Sequence, residues 1–337
     1  MASPSSPADS LVAPRYATWQ AALADAVTDP AELCRLLGLP ATVATDAARA
    51  ASGFRLLVPR HFLARIEPGN PRDPLLLQVL PAGEELDPTP RFITDPLGEA
   101  DRAPSPGLLW KYSNRALIVT TSACAVHCRF CFRRHFPYEQ GTRHWQAALE
   151  RIAAESSIAE VILSGGDPLT LGDMPLELLA ERIAAIPHVR RLRIHTRLPV
   201  LIPQRVTEEL LSFLRGGRLT PIVVIHANHP REIDHDVAVA LTRLIDAGIP
   251  VLNQAVLLRE VNDDVDTLAA LCERLIDLRV MPYYLHQLDR VSGTAHFEVS
   301  VETGVRLVQQ LRTRLPGYAV PRYVREIPGE PYKVVLA

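Results

Sequence analysis

The sequence predicts an α/β protein in which helices cover a largely parallel β-sheet. From about residue 108 onward in a chain of 337 residues, apolar β-prone runs alternate with helical patterns. Such alternation is typical of parallel strands joined by helices. Six strand–helix units can be counted, two fewer than a closed eight-stranded barrel contains. On the pattern alone, an open partial barrel and a doubly wound sheet both fit.

Each predicted strand is short and apolar, and each is followed by an amphipathic run of helical length. The predicted strands are 116–120, 160–163, 191–195, 222–226, 251–256 and 281–285. The predicted helices are 145–154, 176–185, 207–214, 236–247, 265–278 and 301–315. We expect these units to form the main domain of the protein, residues 101–337.

Residues 1–100 are predicted to form an N-terminal accessory region. Its first ten residues are rich in Pro and Ser, and an amphipathic helix is predicted at 16–27. Asp29 before Pro30 predicts the N-cap and first turn of a second helix, which Gly38 ends. Beyond it, short helices mix with loops.

Composition excludes several classes of protein. The chain has 47% hydrophobic and 22% charged residues, which is ordinary globular usage. With 36 Lys and Arg against 38 Asp and Glu, it lacks the basic excess of a general nucleic-acid or membrane-surface binder. We find no signal peptide and no apolar run that would span a bilayer. We therefore expect a cytoplasmic protein with neither a nucleic-acid nor a membrane partner.

Three of the five cysteines, Cys124, Cys128 and Cys131, have the spacing C-x3-C-x2-C. An odd, clustered set does not fit a secreted disulfide framework and favours a reducing cytoplasm. Thiolates bind iron–sulfur clusters or zinc. Structural zinc more often uses paired C-x2-C units, and no second pair exists here. Three cysteines on one loop could instead hold three irons of a four-iron cluster and leave the fourth iron to a small ligand.

Polar residues with catalytic potential follow the predicted strands. In both architectures, the carboxyl ends of the strands meet at one rim, where active sites are found. The groups at this rim are the cysteine motif, Ser164-Gly-Gly-Asp167, His195-Thr-Arg197, His226-Ala-Asn-His229, Asn253-Gln254 and His286-Gln-Leu-Asp289. The sequence therefore predicts one active site assembled from several strand ends.

These features resemble the radical S-adenosylmethionine (SAM) superfamily. The cysteine spacing after the first strand, with Phe130 before the last cysteine, carries the resemblance. It implies a partial (β/α)6 TIM-like barrel and a [4Fe-4S] cluster on the three cysteines. It also implies SAM as a second cofactor, which the reduced cluster cleaves to a 5′-deoxyadenosyl radical.

Further motifs resemble the lysine 2,3-aminomutase family. They are Lys111-Tyr-Ser-Asn-Arg115, Arg133-Arg-His-Phe136, Ser164-Gly-Gly-Asp-Pro-Leu169, His226-Ala-Asn-His-Pro230, Asn253-Gln-Ala-Val-Leu-Leu-Arg259, Pro282-Tyr-Tyr-Leu-His-Gln-Leu-Asp289 and Pro328-Gly-Glu-Pro-Tyr-Lys333. Residues 27–33, 69–75 and 132–138 resemble the branch that serves (R)-β-lysylation of elongation factor P. The resemblance implies an isomerase that converts (S)-α-lysine to (R)-β-lysine with pyridoxal 5′-phosphate (PLP). The implied partners are free lysine, a ligase that attaches β-lysine to elongation factor P, and a reductase such as flavodoxin or ferredoxin.

The resemblance also implies a role for each site residue. Lys333 would bind PLP covalently, Arg115 would bind its phosphate, and Tyr112 would lie nearby. Arg133 would bind the substrate carboxylate, for which a guanidinium is suited. The distal ammonium of lysine would lie between Asp289 and Glu326, where the aminomutase has Asp in place of Glu326. The residues placed near SAM are Gly165, Gly166, Asp167, His226 and Gln254.

Two alternatives stay open. One is a general lysine 2,3-aminomutase of lysine metabolism, and the other is a non-catalytic zinc-binding module. The stand-alone aminomutase carries a C-terminal extension with cysteines that helps to bind zinc between subunits. Here the sequence stops four residues after Lys333, and Asp264 stands at the remaining zinc-ligand position. We therefore do not expect the intersubunit zinc site.

Overall fold

The computed structural model describes residues 14–138 and 145–337. Its centre is one nine-stranded sheet whose strands lie side by side in chain order. The strands are β1 Leu108–Tyr112, β2 Arg115–Thr121, β3 Glu160–Gly165, β4 Arg191–Thr196, β5 Thr220–His226, β6 Val251–Val256, β7 Met281–His286, β8 Arg322–Arg325 and β9 Val334–Val335. Strands β2 to β8 are parallel, while β1 and β9 add an antiparallel strand at either end.

Helices follow the parallel strands in turn. Before the sheet come α1 Trp19–Ala24, α2 Pro30–Leu36, α3 Ala41–Ala51, α4 Arg60–Leu63 and α5 Pro74–Leu77. After β2 to β7 come α6 Trp145–Ala153, α7 Asp173–Ala184, α8 Leu198–Leu201 with α9 Glu208–Gly216, α10 His235–Asp246, α11 Val265–Asp277 and α12 Val301–Arg314. Six strand–helix units and a final strand, in an open sheet, make a partial barrel. The predicted fold class is confirmed.

The six predicted strands are all present, each within two residues of its predicted ends. The six predicted helices are also present, each within three residues of its predicted ends. The helix predicted at 16–27 is shorter, Trp19–Ala24. Strands β1, β8 and β9 were not predicted. Strand β8 begins and ends with arginine and has only two residues between them. Those two, Tyr323 and Val324, are fully buried.

The helices pack on the sheet through apolar stripes. Helix α7 buries Leu176, Leu179, Ala180 and Ile183, the spacing of one helical face. Helix α12 packs directly against Tyr323 of β8, because Gly304 has no side chain. A Cβ at this position would lie 2.2 Å from the hydroxyl oxygen of Tyr323.

The N-terminal helices share their core with the barrel. Leu33, Phe62 and Leu75 belong to the same buried hydrophobic cluster as the strands. Arg65 donates hydrogen bonds to the carbonyls of Val200 (2.7 Å) and Glu232, both in the barrel. The division at residue 100 stays a prediction. Among the described residues, no helix is both long and apolar enough to span a membrane.

Candidate active site

A cavity of about 290 Å³ opens at the carboxyl ends of the strands. Every residue to which the resemblance assigned a role lines it: Tyr112, Arg115, Cys124, Cys128, Cys131, Arg133, Gly165, Gly166, Asp167, His226, Gln254, Asp289, Glu326 and Lys333. The expectation that strand ends meet at one rim is therefore met. Further lining residues received no individual role from the sequence, and among them are Glu99, Arg193, His195 and Arg197.

The two lysines of the chain both lie in this cavity. The sequence contains 36 Lys and Arg residues, and only Lys111 and Lys333 among them are lysines. Both contact one carboxylate: Lys111 Nζ lies 2.6 Å from Glu326 Oε1, and Lys333 Nζ bonds to Glu326 Oε2. Burial alone would raise the pKa of Glu326, but the two cations lower it to about 2. Glu326 is therefore an ionised carboxylate.

The ion pair between Lys111 and Glu326 also connects the first strand of the open sheet to the segment after its last parallel strand. Lys111 belongs to β1, and Glu326 follows β8 directly. From Lys111 the network continues to Glu99, 3.1 Å away. Glu99 in turn binds Arg133, which produces a row of alternating charges along one wall. This wall holds three cations and two anions.

Arg133 uses only part of its hydrogen-bonding capacity in this row. Its Nε and Nη2 each donate to the carboxylate of Glu99 at 2.8 Å, and its Nη1 lies 3.2 Å from Ser164 Oγ. A guanidinium has five N–H donors. Glu99 therefore occupies one edge and leaves an N–H on each of Nη1 and Nη2 for a further acceptor. Sequence reasoning missed Glu99, which lies 34 residues earlier in a stretch without periodic pattern.

Asp289 is the acid without a partner. In the described part of the chain, no side chain forms an ion pair or hydrogen bond with its carboxylate. Burial, with a smaller contribution from the charge of Glu326, raises its pKa to about 7. Close to neutral pH, Asp289 is therefore present in both protonation states, and an ammonium group beside it would favour the ionised form.

The three motif cysteines share the cavity wall. Burial raises the pKa of the Cys124 thiol well above its ordinary value and that of Cys131 to about 11. Cys128 differs, because the Nη1 of Arg197 lies 2.7 Å from its Sγ. Within residues 14–138 and 145–337, no three His, Cys, Asp or Glu side chains converge as ligands of a single metal ion. The thiols thus line a space without closing on one point.

The Gly-Gly-Asp turn supports the cysteine loop. A Cβ on Gly166 would lie 2.1 Å from the carbonyl oxygen of Ala123, and the amide of Gly166 donates to Thr121. The carboxylate of Asp167 accepts four hydrogen bonds, from the Thr196 hydroxyl and from the amides of Leu169, Arg197 and Leu198. These fill its acceptor positions. Asp167 therefore fixes the end of β4 through these hydrogen bonds. It also lines the cavity, and its place beside SAM stays a prediction.

The remaining predicted residues lie on two pairs of strands, β5 with β6 and β1 with β2. His226 and Gln254 are register partners on β5 and β6. Burial lowers the pKa of His226 to about 4, so its ring is neutral, and it lies 5.5 Å from the ring of Phe130. The guanidinium of Arg115 lies 4.2 Å from the ring centre of Tyr112.

Comparison with known proteins agrees with this geometry. Residues 118–272 match the model of the radical SAM superfamily. The chain is 50% identical to the L-lysine 2,3-aminomutase of Escherichia coli strain K12 over 96% of this chain and 95% of that protein. It is 45% identical to the Haemophilus influenzae protein of that name, over 95% of each chain. It is 41% identical to the Buchnera aphidicola protein of that name, over 94% of this chain and 95% of that protein. The chain belongs to the lysine 2,3-aminomutase family. It is therefore a radical SAM enzyme and an isomerase.

The cavity fits the cofactors of the radical SAM superfamily, SAM and an iron–sulfur cluster. A multi-iron cluster takes one thiolate per iron and is wider than a single ion, which suits three thiols that share a wall. Fully buried polar atoms without partners in the described residues are present at the same cavity, including Nε of Arg197. Such atoms need a partner, and a sulfur or oxygen of a bound cofactor would supply one.

Proposed function

We propose that this enzyme is a PLP-dependent lysine 2,3-aminomutase that converts (S)-α-lysine to (R)-β-lysine for the modification of elongation factor P. The observation that carries the proposal is the sharing of one cavity by the three motif cysteines and both lysines of the chain. A radical rearrangement of an amino acid held by PLP requires the cluster and the PLP lysine within reach of one substrate molecule.

The cavity residues suit PLP. Lys333 supplies a primary amine, the nucleophile with which PLP is bound, and Arg115 supplies a cation for the phosphate. The Nε of Arg193 and the Nε2 of His195 are buried without partners in the described residues, and both residues line the cavity. They offer hydrogen bonds to a polar ligand. When bound, PLP supplies stabilisation of an unpaired electron while nitrogen migrates.

The charges of the cavity match the two ends of lysine. The free edge of Arg133 can bind the α-carboxylate in bidentate form. Glu326, which stays ionised, and Asp289, which titrates near neutral pH, can hold the distal ammonium. A site that pairs both ends of its substrate discriminates against amino acids that lack the second charge.

The destination of the product is proposed from the resemblance of residues 27–33, 69–75 and 132–138 to the elongation factor P branch. In this proposal a separate ligase transfers β-lysine to elongation factor P. A small reductase such as flavodoxin or ferredoxin supplies electrons, and all of these partners share the cytoplasm with the enzyme.

The presence of only two lysines makes a decisive labelling test simple. The protein is incubated with PLP, reduced with borohydride and analysed by peptide mass spectrometry. We expect the label on Lys333 in the unmodified protein and in Lys111→Arg, and no cavity label in Lys333→Arg. A label on Lys111 in the unmodified protein would contradict the proposal, since Lys111 contacts the same carboxylate and is the matched control.

A second experiment tests the destination. The enzyme, with its cofactors and (S)-α-lysine, is added to elongation factor P and the ligase, and the intact mass of elongation factor P is measured. We expect an added β-lysyl group that requires the active enzyme. Abundant free β-lysine that the ligase does not transfer would instead indicate a general aminomutase of lysine metabolism.

A further inference from the structure

A buried guanidinium connects the cysteine motif to the N-terminal part of the chain. Arg197 follows β4, and its side chain is 6% exposed. Its Nη1 lies 2.7 Å from the Sγ of Cys128. Its Nη2 donates to Gln78 Oε1 at 2.7 Å and to Glu232 Oε2 at 2.8 Å. Gln78 directly follows α5, so a residue outside the barrel holds a group that contacts a cluster cysteine.

Surrounding contacts fix the guanidinium in this position. The backbone N–H of Arg197 donates to Asp167 at 2.6 Å. The rings of Phe62 and Phe130 have their centres 5.7 and 5.6 Å from the guanidinium carbon. Such contacts with aromatic rings favour a cation. Arg197 is therefore held from several sides, and its bond to Cys128 is part of a defined arrangement.

The counter-ion of Arg197 is equally well held. Glu232 is fully buried, and besides Arg197 its carboxylate accepts hydrogen bonds from Gln78 Nε2 (3.1 Å) and from the amides of Asn228 and His229 (2.8 and 3.1 Å). A guanidinium is not deprotonated in proteins, and the ion pair with Glu232 balances its charge. The charge of Arg197 is therefore permanent and lies directly against one cysteine sulfur.

We propose that Arg197 sets the reduction potential of the iron–sulfur cluster and that Gln78 of the N-terminal region holds it in place. Reduction adds one electron, taken from an external one-electron donor, and leaves the cluster one charge more negative. A cationic hydrogen-bond donor on a cluster thiolate stabilises this reduced state more than the oxidised state. Hydrogen bonds to sulfur and local charge are known determinants of cluster potential. Arg197 thus raises the potential and eases reduction by a weak physiological donor.

The direct test is an anaerobic redox titration of the reconstituted full chain, followed by electron paramagnetic resonance. Arg197→Lys keeps the positive charge, but one ammonium cannot reproduce the planar fork that reaches Cys128, Gln78 and Glu232 together. We expect a midpoint potential more negative than that of the unmodified protein, at an unchanged content of iron and sulfide. A purely structural role would change cluster content or stability and leave the potential of the remaining clusters unaltered.

Arg205 provides a matched control. It is also fully buried, and it pairs with Asp173 at 2.8 Å and with the carbonyl of Leu169 at 2.7 Å, without a hydrogen bond to a cysteine in the described residues. We expect Arg205→Lys to leave the cluster potential unchanged. An equal shift in Arg205→Lys would show that any lost buried arginine alters the potential, and it would overturn the proposal.

A second variant keeps the proposal testable if Arg197→Lys does not fold. Gln78→Met preserves the size of the side chain and leaves Arg197 intact, but it removes one of the two acceptors that fix Nη2. We expect a smaller shift of the potential in the same direction. A full cluster with the potential of the unmodified protein in Gln78→Met, or in a folded Arg197→Lys, would show that Arg197 serves only as the partner of Glu232.

Discussion

The buried ion pair that anchors the cysteine loop offers the sharpest stability prediction. The carboxylate of Glu85, in the N-terminal region, accepts hydrogen bonds from Nε and Nη2 of Arg129 at 2.8 and 2.5 Å. It also accepts one from Nη2 of Arg134 at 2.7 Å. The side chains of Glu85, Arg129 and Arg134 are 1%, 0% and 4% exposed. Arg129 lies between Cys128 and Cys131. We therefore predict that Glu85→Ala destabilises the fold and loosens the cluster motif.

The size of the effect follows from burial. Removing one partner of a buried ion pair leaves an uncompensated charge and costs about 3–5 kcal/mol. Since 1.4 kcal/mol is a factor of ten, the ratio of folded to unfolded protein should fall by roughly two to three and a half orders of magnitude. Exposed pairs contribute at most about 1 kcal/mol. The pair of Arg72 and Glu260, with side chains 77% and 48% exposed, is the matched control.

Urea unfolding of the reduced, cluster-free protein measures the free energy of unfolding. Glu85→Ala should unfold at clearly lower urea than the unmodified protein, and Glu260→Gln should differ little from it. After reconstitution, Glu85→Ala should release iron to a chelator faster, because Arg129 no longer fixes the loop. Equal urea midpoints for Glu85→Ala and Glu260→Gln would refute the claim that the buried pair stabilises the protein.

Three further predictions concern the cavity. Because burial raises the pKa of Asp289 to about 7, kcat/KM for lysine should rise with pH up to about 7 and then level. Asp289→Asn should remove that rise and lower kcat/KM about 10- to 100-fold, as expected for the loss of a hydrogen bond to a charged group. Glu99→Gln should raise KM about tenfold with less effect on kcat, because Arg133 loses a charge-assisted hydrogen bond that orients it, worth roughly 1.5–3 kcal/mol. Gly166→Ala should reduce cluster content and cost about 1–3 kcal/mol, since its Cβ would overlap the carbonyl of Ala123.

Each of these predictions has an outcome that contradicts it. A pH profile of Asp289→Asn that matches the unmodified protein would show that Asp289 does not titrate in substrate binding. A lower KM in Glu99→Gln would mean that Glu99 competes with the substrate for Arg133 instead of orienting it. For the glycine, Gly216→Ala is the control, because a Cβ there meets no atom within 4 Å. Equal cluster content in the two alanine variants would show that the turn tolerates a side chain.

The sequence predicted the sheet well because its strands are apolar runs between amphipathic helices, and it failed where that contrast is absent. Strand β8 has arginines at both ends, and only tertiary packing shows that Tyr323 and Val324 are buried. The rule that strand ends share a rim placed the cysteines, Asp289 and Gln254 correctly around one cavity.

The partners of those residues could not be predicted in the same way. Glu99 reaches Arg133 only because the segment before β1 folds against the strand ends, and no periodicity in the sequence marks it. Arg197 was noted at a strand end, but its partners Cys128, Gln78 and Glu232 are 35 to 119 residues away in sequence. The carboxylate of Asp167 accepts four hydrogen bonds from its own chain, three of them from residues 196–198 at the end of the next strand. Pairing across long separations is decided by packing, which residue patterns do not encode.

The central claim is tested most directly by the reaction itself. Anaerobically reconstituted enzyme is incubated with SAM, PLP, a low-potential reductant and (S)-α-lysine, and the products are separated by chiral chromatography with mass detection. We predict (R)-β-lysine, its formation dependent on every component and absent in Lys333→Arg. No β-lysine from a protein shown to hold a full cluster and PLP would contradict the account. The substrate would then be another amino acid, and Glu326 would be the first residue to re-examine.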